Sequence, residues 1–593
     1  MDGRYVSPSL QRLIDEDAVG QLRRRTGLMA ELGSENGEMK LDWVEGVERR
    51  LANPDALAAV EAEARDLWQR GIRHIIWAGM GGSVMAVRVL TDLGFCDGSE
   101  EGHFAVYPLD STDPAALNAI VRRIAEAKKL ALPAEAGAVN ADLLRALFGD
   151  VLMVGVTMGM TSEEPITHLA WFTDLLQQAG LRPAEHLLVM TLPGSYLDAF
   201  AHEYEVPTRP LQLDGGTGTG GRMSAPTTCV FLLPAALYLT RLTDEPGQLR
   251  DVLSRAWKEY NLDLSASQPE DSSPVRLAAT LADFSVQGVV RLFLYFPGDW
   301  FRLIPWIEQL MEESLGKGGK GIVVFEGQSL AIKTPGYNPG GIVPVQITSG
   351  LGDQSPQSRL VGIAAAFLDW QLIMALYGYL NRIPFAGQPA VENYKARARV
   401  LRAQDNPLDV LRDWSAVTSS GPIKLFAPSP VKTQDTPARV FARTLREAVT
   451  SPEKAGRIGY LDLTINGEAA PVVRSMLEDR LHEISNGVLG VPLKLRRAPA
   501  AYHSTEQSEM DGPANLVSLR LLARRHEPSL VGSYNDTFLC AQAISTWQAM
   551  IEQGRNCFLL VFDGAFDENA LPALEEFFVE VEQALREELE DRE

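Results

Sequence analysis

The sequence predicts an α/β fold in which parallel sheets are flanked by helices. Short apolar segments with strand character alternate with helical segments, which is typical of chains that form βαβ units. The strand segments are apolar along most of their length, as in HLLVMTLP at 186–193, and this predicts strands buried on both faces of a sheet. With 593 residues, of which 46% are hydrophobic, the chain has enough apolar material for more than one core.

Four regions are predicted along the chain. Residues 1–50 are expected to form a helical leader, and residues 51–245 and 246–405 two α/β domains of similar outline. Residues 406–593 are expected to form a further α/β unit that ends in an acidic helix. A prior of about 150 residues per domain agrees with this division.

In the two α/β domains, runs of β-branched and aromatic residues bounded by turn residues predict strands, and the longer segments between them predict helices. The predicted strands lie at 73–80, 104–110, 150–157, 186–193, 289–297 and 321–327. Helices are predicted between these strands, and a long helix at 360–381 and a basic helix at 390–403 follow them.

The same pattern continues in the C-terminal unit. Its predicted strands are PIKLFAP, IGYLDLTI, VPLKLRR, LVSLRLLAR and NCFLLVF. Helical segments separate most of these strands, and the last predicted helix spans 566–591. The unit is therefore expected to belong to the same α/β class.

The charge balance excludes two classes of protein. The net charge is −22, with 77 acidic and 55 basic side chains. Wrapping nucleic acid or binding an anionic membrane requires a basic surface, so we expect neither partner. A small anionic substrate remains compatible with this charge, because a few local donors and a helix N-terminus suffice to bind a phosphate.

One segment, IAAAFLDWQLIMALYGYL at 363–380, has roughly the length of a membrane span. Because it contains Asp369 and Gln371, we predict a helix buried in the protein instead. The N-terminus lacks the apolar core of a signal peptide, and the four cysteines lack the spacing of a disulfide framework or a zinc cluster. The sequence therefore predicts a cytoplasmic protein without a metal site.

A glycine-rich turn, GMGGS at 79–83, follows the first predicted strand. Glycines there allow a ligand to approach the backbone closely, and the following helix N-terminus can bind an anion. Gly82 and Ser83 are the candidate binding residues. The alternative is a tight turn without a ligand.

A second turn, TMGMTSEE at 157–164, follows the third predicted strand and is rich in hydroxyl groups. Thr157, Thr161 and Ser162 are candidates for binding a phosphate where the next helix begins. The alternative is an ordinary helix start in which Ser162 is the N-cap and acidic residues occupy the first turn.

Three further motifs supply groups suited to proton transfer. Arg222 lies in GGRMS, on a glycine-rich turn from which a guanidinium can reach a developing oxyanion. Gln309 and Glu313 lie four residues apart in QLMEESLGK, so they share a helix face and Glu313 is the candidate base. Lys395 lies two turns into a helix that Pro389 can start. The alternative for each is a solvated surface side chain.

Taken in this order, the five motifs resemble those of the phosphoglucose isomerase family, which has the sugar-isomerase (SIS) fold. GMGGS is similar to the family's GIGGS turn, TMGMTSEE stands where the family has its phosphate loop, and GGRMS is similar to GGRxS. QLMEESLGK is similar to ES-x-GK, and GQPAVENYK to DQ-x-GVE-x-x-K. The resemblance implies that 51–245 and 246–405 are SIS-type domains.

Further phrases resemble the isomerase half of bacterial transaldolase/phosphoglucose isomerase fusions. These are LDSTDPAAL at 109–117, WIEQLMEESLGKGGKGI at 306–322 and AYHST at 501–505. With them, the resemblance covers most of residues 50–560.

The resemblance implies a role for each candidate residue. Glu313 would move a proton between C1 and C2 of the open-chain sugar, and Arg222 would stabilise the charge of the cis-enediol intermediate. Gln309 would position the substrate, and Lys395 would assist ring opening. The phosphate would be bound by Gly82, Ser83, Thr157, Thr161 and Ser162. No metal or redox cofactor is implied, because the base reuses its own proton.

The sequence departs from the family pattern at two places. Met158 and Gly159 replace a lysine and a hydroxyl residue of the usual phosphate loop. The ring-opening histidine that the family carries between the Glu and Lys motifs is absent, since no histidine lies between His202 and His482. His503 is the candidate substitute, and the alternative is a purely structural histidine.

The implied activity is that of a glucose-6-phosphate isomerase, which interconverts glucose 6-phosphate and fructose 6-phosphate, and the implied assembly is a homodimer. Two alternatives stay open. One is a sugar-phosphate-binding protein with weak or no turnover, which the two departures favour. The other is an isomerase of a different phosphosugar, such as mannose 6-phosphate.

Overall fold

The strands of the described residues form four sheets, with two, five, three and six strands. The computed structural model describes residues 7–133, 139–259, 268–327, 342–346, 355–431, 435–451, 458–513 and 515–590. Apart from the two-stranded hairpin, each sheet is wholly or mostly parallel and is covered by helices. The predicted α/β class is confirmed.

The N-terminal region consists of short helices and one hairpin. Its helices are Pro8–Asp15, Ala18–Arg24, Gly27–Leu32 and Gly46–Ala52, and its hairpin pairs Ser34–Glu35 with Glu38–Met39. Leu10, Leu13 and Met29 are buried in a hydrophobic core that also contains residues of the five-stranded sheet. The region is thus packed into the protein rather than standing apart from it.

The five-stranded sheet is parallel throughout. Its strands lie in the spatial order Ala105–Leu109, His74–Ala78, Val151–Val156, Leu187–Thr191 and Thr208–Pro210. The direction of winding reverses between the second and third strands of this order. Open α/β sheets bind ligands at the carboxyl ends of the strands beside such a reversal, and the turns at 79–83 and 157–164 follow these two strands.

Helices on both sides cover this sheet. They are Pro54–Gln69, Met85–Asp92, Pro114–Ala127, Ala141–Phe148, Glu164–Gln178, Pro183–His186, Tyr196–Glu203 and Cys229–Leu242. Several begin with standard capping chemistry: the side chains of Asn53, Asp113, Asn140 and Ser195 each accept a hydrogen bond from a backbone N–H of the first turn.

The three-stranded sheet places Arg291–Tyr295 between Ile342–Gln346 and Val323–Glu326, all parallel. Its helices are Gln248–Glu259, Ser273–Val286, Ile304–Leu315, Pro356–Asn381 and Glu392–Arg402. Among the described residues this sheet has three strands and the first has five, and both are parallel throughout. The similar outline of the two domains stays a prediction.

Helix Pro356–Asn381 contains the most apolar stretch of the chain. By length and composition it is able to cross a membrane, with a mean hydropathy of 1.7 over its most apolar window. Of that window, 89% is buried inside the protein, as predicted for a core helix.

The six-stranded sheet has the order Val417–Ser420, Ile423–Phe426, Asn556–Phe562, Leu516–Ala523, Tyr460–Asn466 and Leu493–Ala498. The last four strands of this order are parallel, and the first two form an antiparallel edge. Its helices are Pro437–Thr450, Pro471–His482, Glu506–Asp511, Thr537–Glu552 and Leu571–Glu590.

Aromatic packing joins this last unit to the rest of the protein. Phe293 and Phe325 of the three-stranded sheet stack on each other, and Phe325 meets the edge of Tyr460. Tyr394 and Tyr502 belong to the same hydrophobic cluster. The boundaries placed at residues 50, 245 and 405 stay predictions.

Candidate functional site

Two glycine-rich turns meet at the carboxyl end of the five-stranded sheet. Gly81–Ser83 and Gly221–Met223 each form a single helical turn. A Cβ atom on Gly82 would lie 2.2 Å from the carbonyl oxygen of Gly221, so only glycine fits at this contact. The Ser224 hydroxyl donates to the Gly82 carbonyl oxygen at 3.2 Å. These contacts hold the two turns together.

Arg222 leaves the second turn and is buried. Its Nε donates to Ser314 Oγ at 2.6 Å, and its Nη1 donates to Glu313 Oε1 at 3.0 Å. Its Nη2 donates to the carbonyl oxygens of Phe385 and Gly387, at 2.7 and 3.0 Å. These bonds use four of the five N–H groups of a guanidinium, so one N–H on Nη1 remains for a ligand.

Gln309 holds the other oxygen of the Glu313 carboxylate. Gln309 Nε2 donates to Glu313 Oε2 at 3.0 Å and to the His503 carbonyl oxygen at 2.9 Å. The i, i+4 spacing on helix Ile304–Leu315 explains the first of these bonds. Gln309 Oε1 is buried and has no partner among the described residues, so it is free to accept a bond from a ligand hydroxyl.

Lys317, two residues beyond this helix, binds the same segment as Arg222. Its Nζ donates to the carbonyl oxygens of Pro384 and Ala386, at 2.6 and 2.9 Å. Burial, and next the charge of Arg222, lower the pKa of Lys317 to about 7. The carboxylate of Glu313 raises this pKa, and those of Glu35 and Asp511 raise it more weakly.

His503 pairs with a buried carboxylate of the five-stranded domain. His503 Nε2 lies 2.8 Å from Glu164 Oε1, which also accepts from Gln542 Nε2 at 2.9 Å. Burial acts to raise the pKa of Glu164, but the His503 interaction, aided by Lys395, holds that pKa at about 2. Glu164 is therefore ionised and orients the His503 ring.

A small pocket of about 20 Å³ opens beside this pair. It is lined by Thr161, Ser162, Lys395 and His503 among others. Lys395 Nζ donates to Glu392 Oε1 at 2.9 Å and remains partly exposed. The backbone of Gly81 lies against the His503 carbonyl group, so this pocket adjoins the Arg222–Glu313 pair.

Two predicted binding residues, Thr157 and Ser83, are not among those that line the pocket. Thr157 Oγ1 donates to the Gly159 carbonyl oxygen and accepts from the Gly159 N–H, both at 3.1 Å. Ser83 is buried next to Gly82, and its carbonyl oxygen accepts from the Trp77 indole at 2.9 Å. The contacts above link Arg222, Gln309 and Glu313 with the turn at Gly82 and Ser83, whereas Thr161, Ser162 and Lys395 line the pocket with His503.

The alternative of a simple helix start at 157–164 does not describe this segment. Helix Glu164–Gln178 has Glu163 at its N-cap, and no side chain makes a capping bond there. The Ser162 hydroxyl therefore does not cap this helix.

Three residues of this site were missed as candidates. Glu164 stands in the TMGMTSEE motif and Lys317 in QLMEESLGK, so both had a signal in the sequence. Gln542 lies within helix Thr537–Glu552. The only sign of its role in the sequence is that a glutamine interrupts an apolar run.

Among the described residues, one group of side chains has the spacing of a metal site. Single atoms of His526, Asp536 and Cys540 lie within 4.8 Å of one another. Both ring nitrogens of His526 already face partners, however: Nε2 lies 3.1 Å from the Ala523 carbonyl oxygen and Nδ1 lies 3.5 Å from Asp113 Oδ2. Because a carbonyl oxygen can only accept, Nε2 is the donor there, and Nδ1 is the nitrogen of His526 that faces the acidic side chains.

No model of a known protein family matches the chain, and no curated protein matches it. Among solved structures, the chain is similar to a hypothetical protein from Thermus thermophilus, with 15% identity, a TM-score of 0.37 and coverage of 98% of this chain and 93% of that one. It is also similar to a glucose-6-phosphate isomerase from Chlamydia trachomatis, with 15% identity, a TM-score of 0.45 and coverage of 68% and 87%. Likeness at this level says nothing about the activity of this chain.

Replacing Gly82 by alanine tests the contact between the two turns. We expect Gly82→Ala to lower the free energy of unfolding by about 1–3 kcal/mol, because the added Cβ would force the turns apart. Gly221→Ala is the matched control, since its Cβ would lie no closer than 3.7 Å to a neighbouring atom. Thermal denaturation of the two variants checks this, and equal midpoints would contradict the close packing.

Lys317 predicts a pH dependence of stability. The pKa of Lys317 is about 7 in the folded state and 10.5 in the unfolded state. Between pH 7 and 10.5, the Lys317 amine is therefore protonated in the unfolded state and neutral in the folded state. The contribution of Lys317 to stability should therefore rise from about pH 7 to 10.5 and stay constant below pH 7. The thermal midpoint of wild type minus that of Lys317→Met should increase over this range, and parallel profiles would refute the depressed pKa.

Proposed function

We propose that this protein is an aldose–ketose isomerase of phosphorylated sugars, and that its substrates are glucose 6-phosphate and fructose 6-phosphate. One observation carries the proposal: the buried Glu313 carboxylate is held at both oxygens, by Arg222 and Gln309, at the carboxyl end of a parallel sheet. The likeness of the five motifs to the phosphoglucose isomerase family supports it.

Proton transfer next to a carbonyl needs a positioned base and a group that stabilises the developing oxyanion. In the proposed mechanism, Glu313 removes the proton from C2 of the open-chain aldose and returns it to C1. The remaining N–H of Arg222 stabilises the negative charge that develops on the enediol oxygens. Gln309 Oε1, which is buried and unpartnered among the described residues, accepts a bond from a substrate hydroxyl.

Ring opening and phosphate binding are assigned to the adjoining pocket. The His503–Glu164 pair resembles a general acid–base pair, since an ionised carboxylate orients the ring. Lys395 lies in the same pocket and assists the step at the ring oxygen. The phosphate is proposed to bind near Thr161 and Ser162, which line this pocket. Gly82, Ser83 and Thr157 do not line it and stay predictions from the resemblance.

A second candidate function is sugar-phosphate binding without turnover. Thr157 Oγ1 is already bonded to both backbone groups of Gly159, and Met158 offers no charge to a phosphate. A weakly built phosphate loop would leave the substrate less firmly placed against Glu313. Catalysis depends on that placement more steeply than binding does.

Replacing Glu313 by glutamine separates the two candidates. We expect Glu313→Gln to bind fructose 6-phosphate with nearly unchanged affinity but to lose turnover by several orders of magnitude, because the base is removed while the shape is kept. Turnover is measured by coupling glucose 6-phosphate formation to its dehydrogenase, and affinity by calorimetry.

Glu308→Gln is the control on the same helix, since the Glu308 carboxylate faces Lys494 rather than the site. Glu308→Gln should keep the turnover of the wild type. If wild type binds fructose 6-phosphate without turnover, the binding function replaces the isomerase. A panel that includes mannose 6-phosphate tests the choice of sugar.

A further inference from the structure

The six-stranded sheet has a reversal of its own. After Tyr460–Asn466 the chain adds Leu493–Ala498 on one side, then crosses back and adds Leu516–Ala523 and Asn556–Phe562 on the other. Crevices at such reversals, outside the carboxyl ends of the strands, are where open α/β sheets bind ligands. The five-stranded sheet carries its candidate site at the equivalent place.

A cleft of about 550 Å³ opens at this second reversal. One wall consists of the loops after Tyr460–Asn466, Leu516–Ala523 and Asn556–Phe562, and the other of Pro108–Asp110 with the start of helix Pro114–Ala127. None of the residues assigned above to the isomerase site is among those that line it. The cleft is therefore a separate place on the molecule.

Ion pairs between the two walls fix the shape of the cleft. The Asp110 carboxylate accepts from Arg88 Nη2 at 2.7 Å and, across the cleft, from Arg497 Nη2 at 2.8 Å. Arg497 also binds Glu468. Five arginines and five carboxylates line the cleft, so it is nearly neutral in a chain whose net charge is −22. An anion is thus repelled less here than over most of the surface.

Two features of the cleft suit an anion. Arg525 is exposed, and its side chain has no partner among the described residues. Helix Pro471–His482 begins in the same cleft with Ala470 at its N-cap, which supplies no side-chain capping bond. The N–H groups that follow Pro471, which has none itself, and a guanidinium are each donors suited to the oxygens of a phosphate group.

We propose that this cleft is a second ligand site, which binds a small metabolite that carries a phosphate group. Arg525 supplies the guanidinium, and the first turn of Pro471–His482 supplies backbone N–H groups. Arg497 and Arg88 stay paired with Asp110 and hold the walls in place. The site is independent of the proposed isomerase activity.

Calorimetric titration of the full chain with inorganic pyrophosphate tests the proposal. Arg525→Glu should weaken one class of pyrophosphate sites at least 10-fold, because it places a like charge against the ligand. Arg439→Glu is the control, since Arg439 is exposed on another helix of the same unit and does not line the cleft. Turnover of fructose 6-phosphate should be the same in both variants.

An unchanged thermal midpoint shows that Arg525→Glu is folded. The proposal is overturned if folded Arg525→Glu binds pyrophosphate as wild type does, or if Arg439→Glu weakens binding equally. It is also overturned if fructose 6-phosphate competitively displaces all the pyrophosphate that wild type binds. That pyrophosphate would then occupy the isomerase site.

Discussion

The buried guanidinium of Arg222 joins three separate segments of the chain, and the arrangement of the candidate site depends on it. A buried cation must have its donors paired, so the end of helix Ile304–Leu315 and the segment 384–387 are drawn to the turn that carries Arg222. The four successive carbonyl oxygens of 384–387 are bound alternately by Lys317 and Arg222. That segment leads into the helix that carries Lys395. The charges of Arg222 and Lys317 therefore position both Glu313 and Lys395.

The C-terminal unit contributes to the same site. It supplies His503 and Gln542 to Glu164, and it also fixes the residue next to Glu313. Glu312 accepts from the Val324 N–H at 2.8 Å and pairs with Lys494 of the six-stranded sheet. Buried ion pairs of this kind are costly to break, because removing one partner leaves an unpaired charge. The C-terminal unit thus acts as a support for helix Ile304–Leu315.

The parallel α/β class could be predicted because strands buried on both faces leave continuous apolar runs in the sequence. The edge strands Thr208–Pro210 and Val417–Ser420 were missed, since they are short and largely exposed and carry no such signal. Gln309 and Glu313 could be paired from their spacing alone. Glu164 and His503 could not, because 339 residues separate them and only the packing of two units brings them together. The depressed pKa of Lys317 is likewise a result of burial, which spacing does not reveal.

The central claim is that Glu313 moves a proton between C1 and C2 of a phosphorylated sugar. Conversion of fructose 6-phosphate in D2O, followed by NMR of the glucose 6-phosphate formed, tests it most directly. A proton held by a carboxylate exchanges with solvent in a fraction of turnovers, so the account predicts deuterium at C2 of the product. Undiminished incorporation of deuterium by Glu313→Gln would contradict the role of Glu313, and no product at all would contradict the isomerase activity itself.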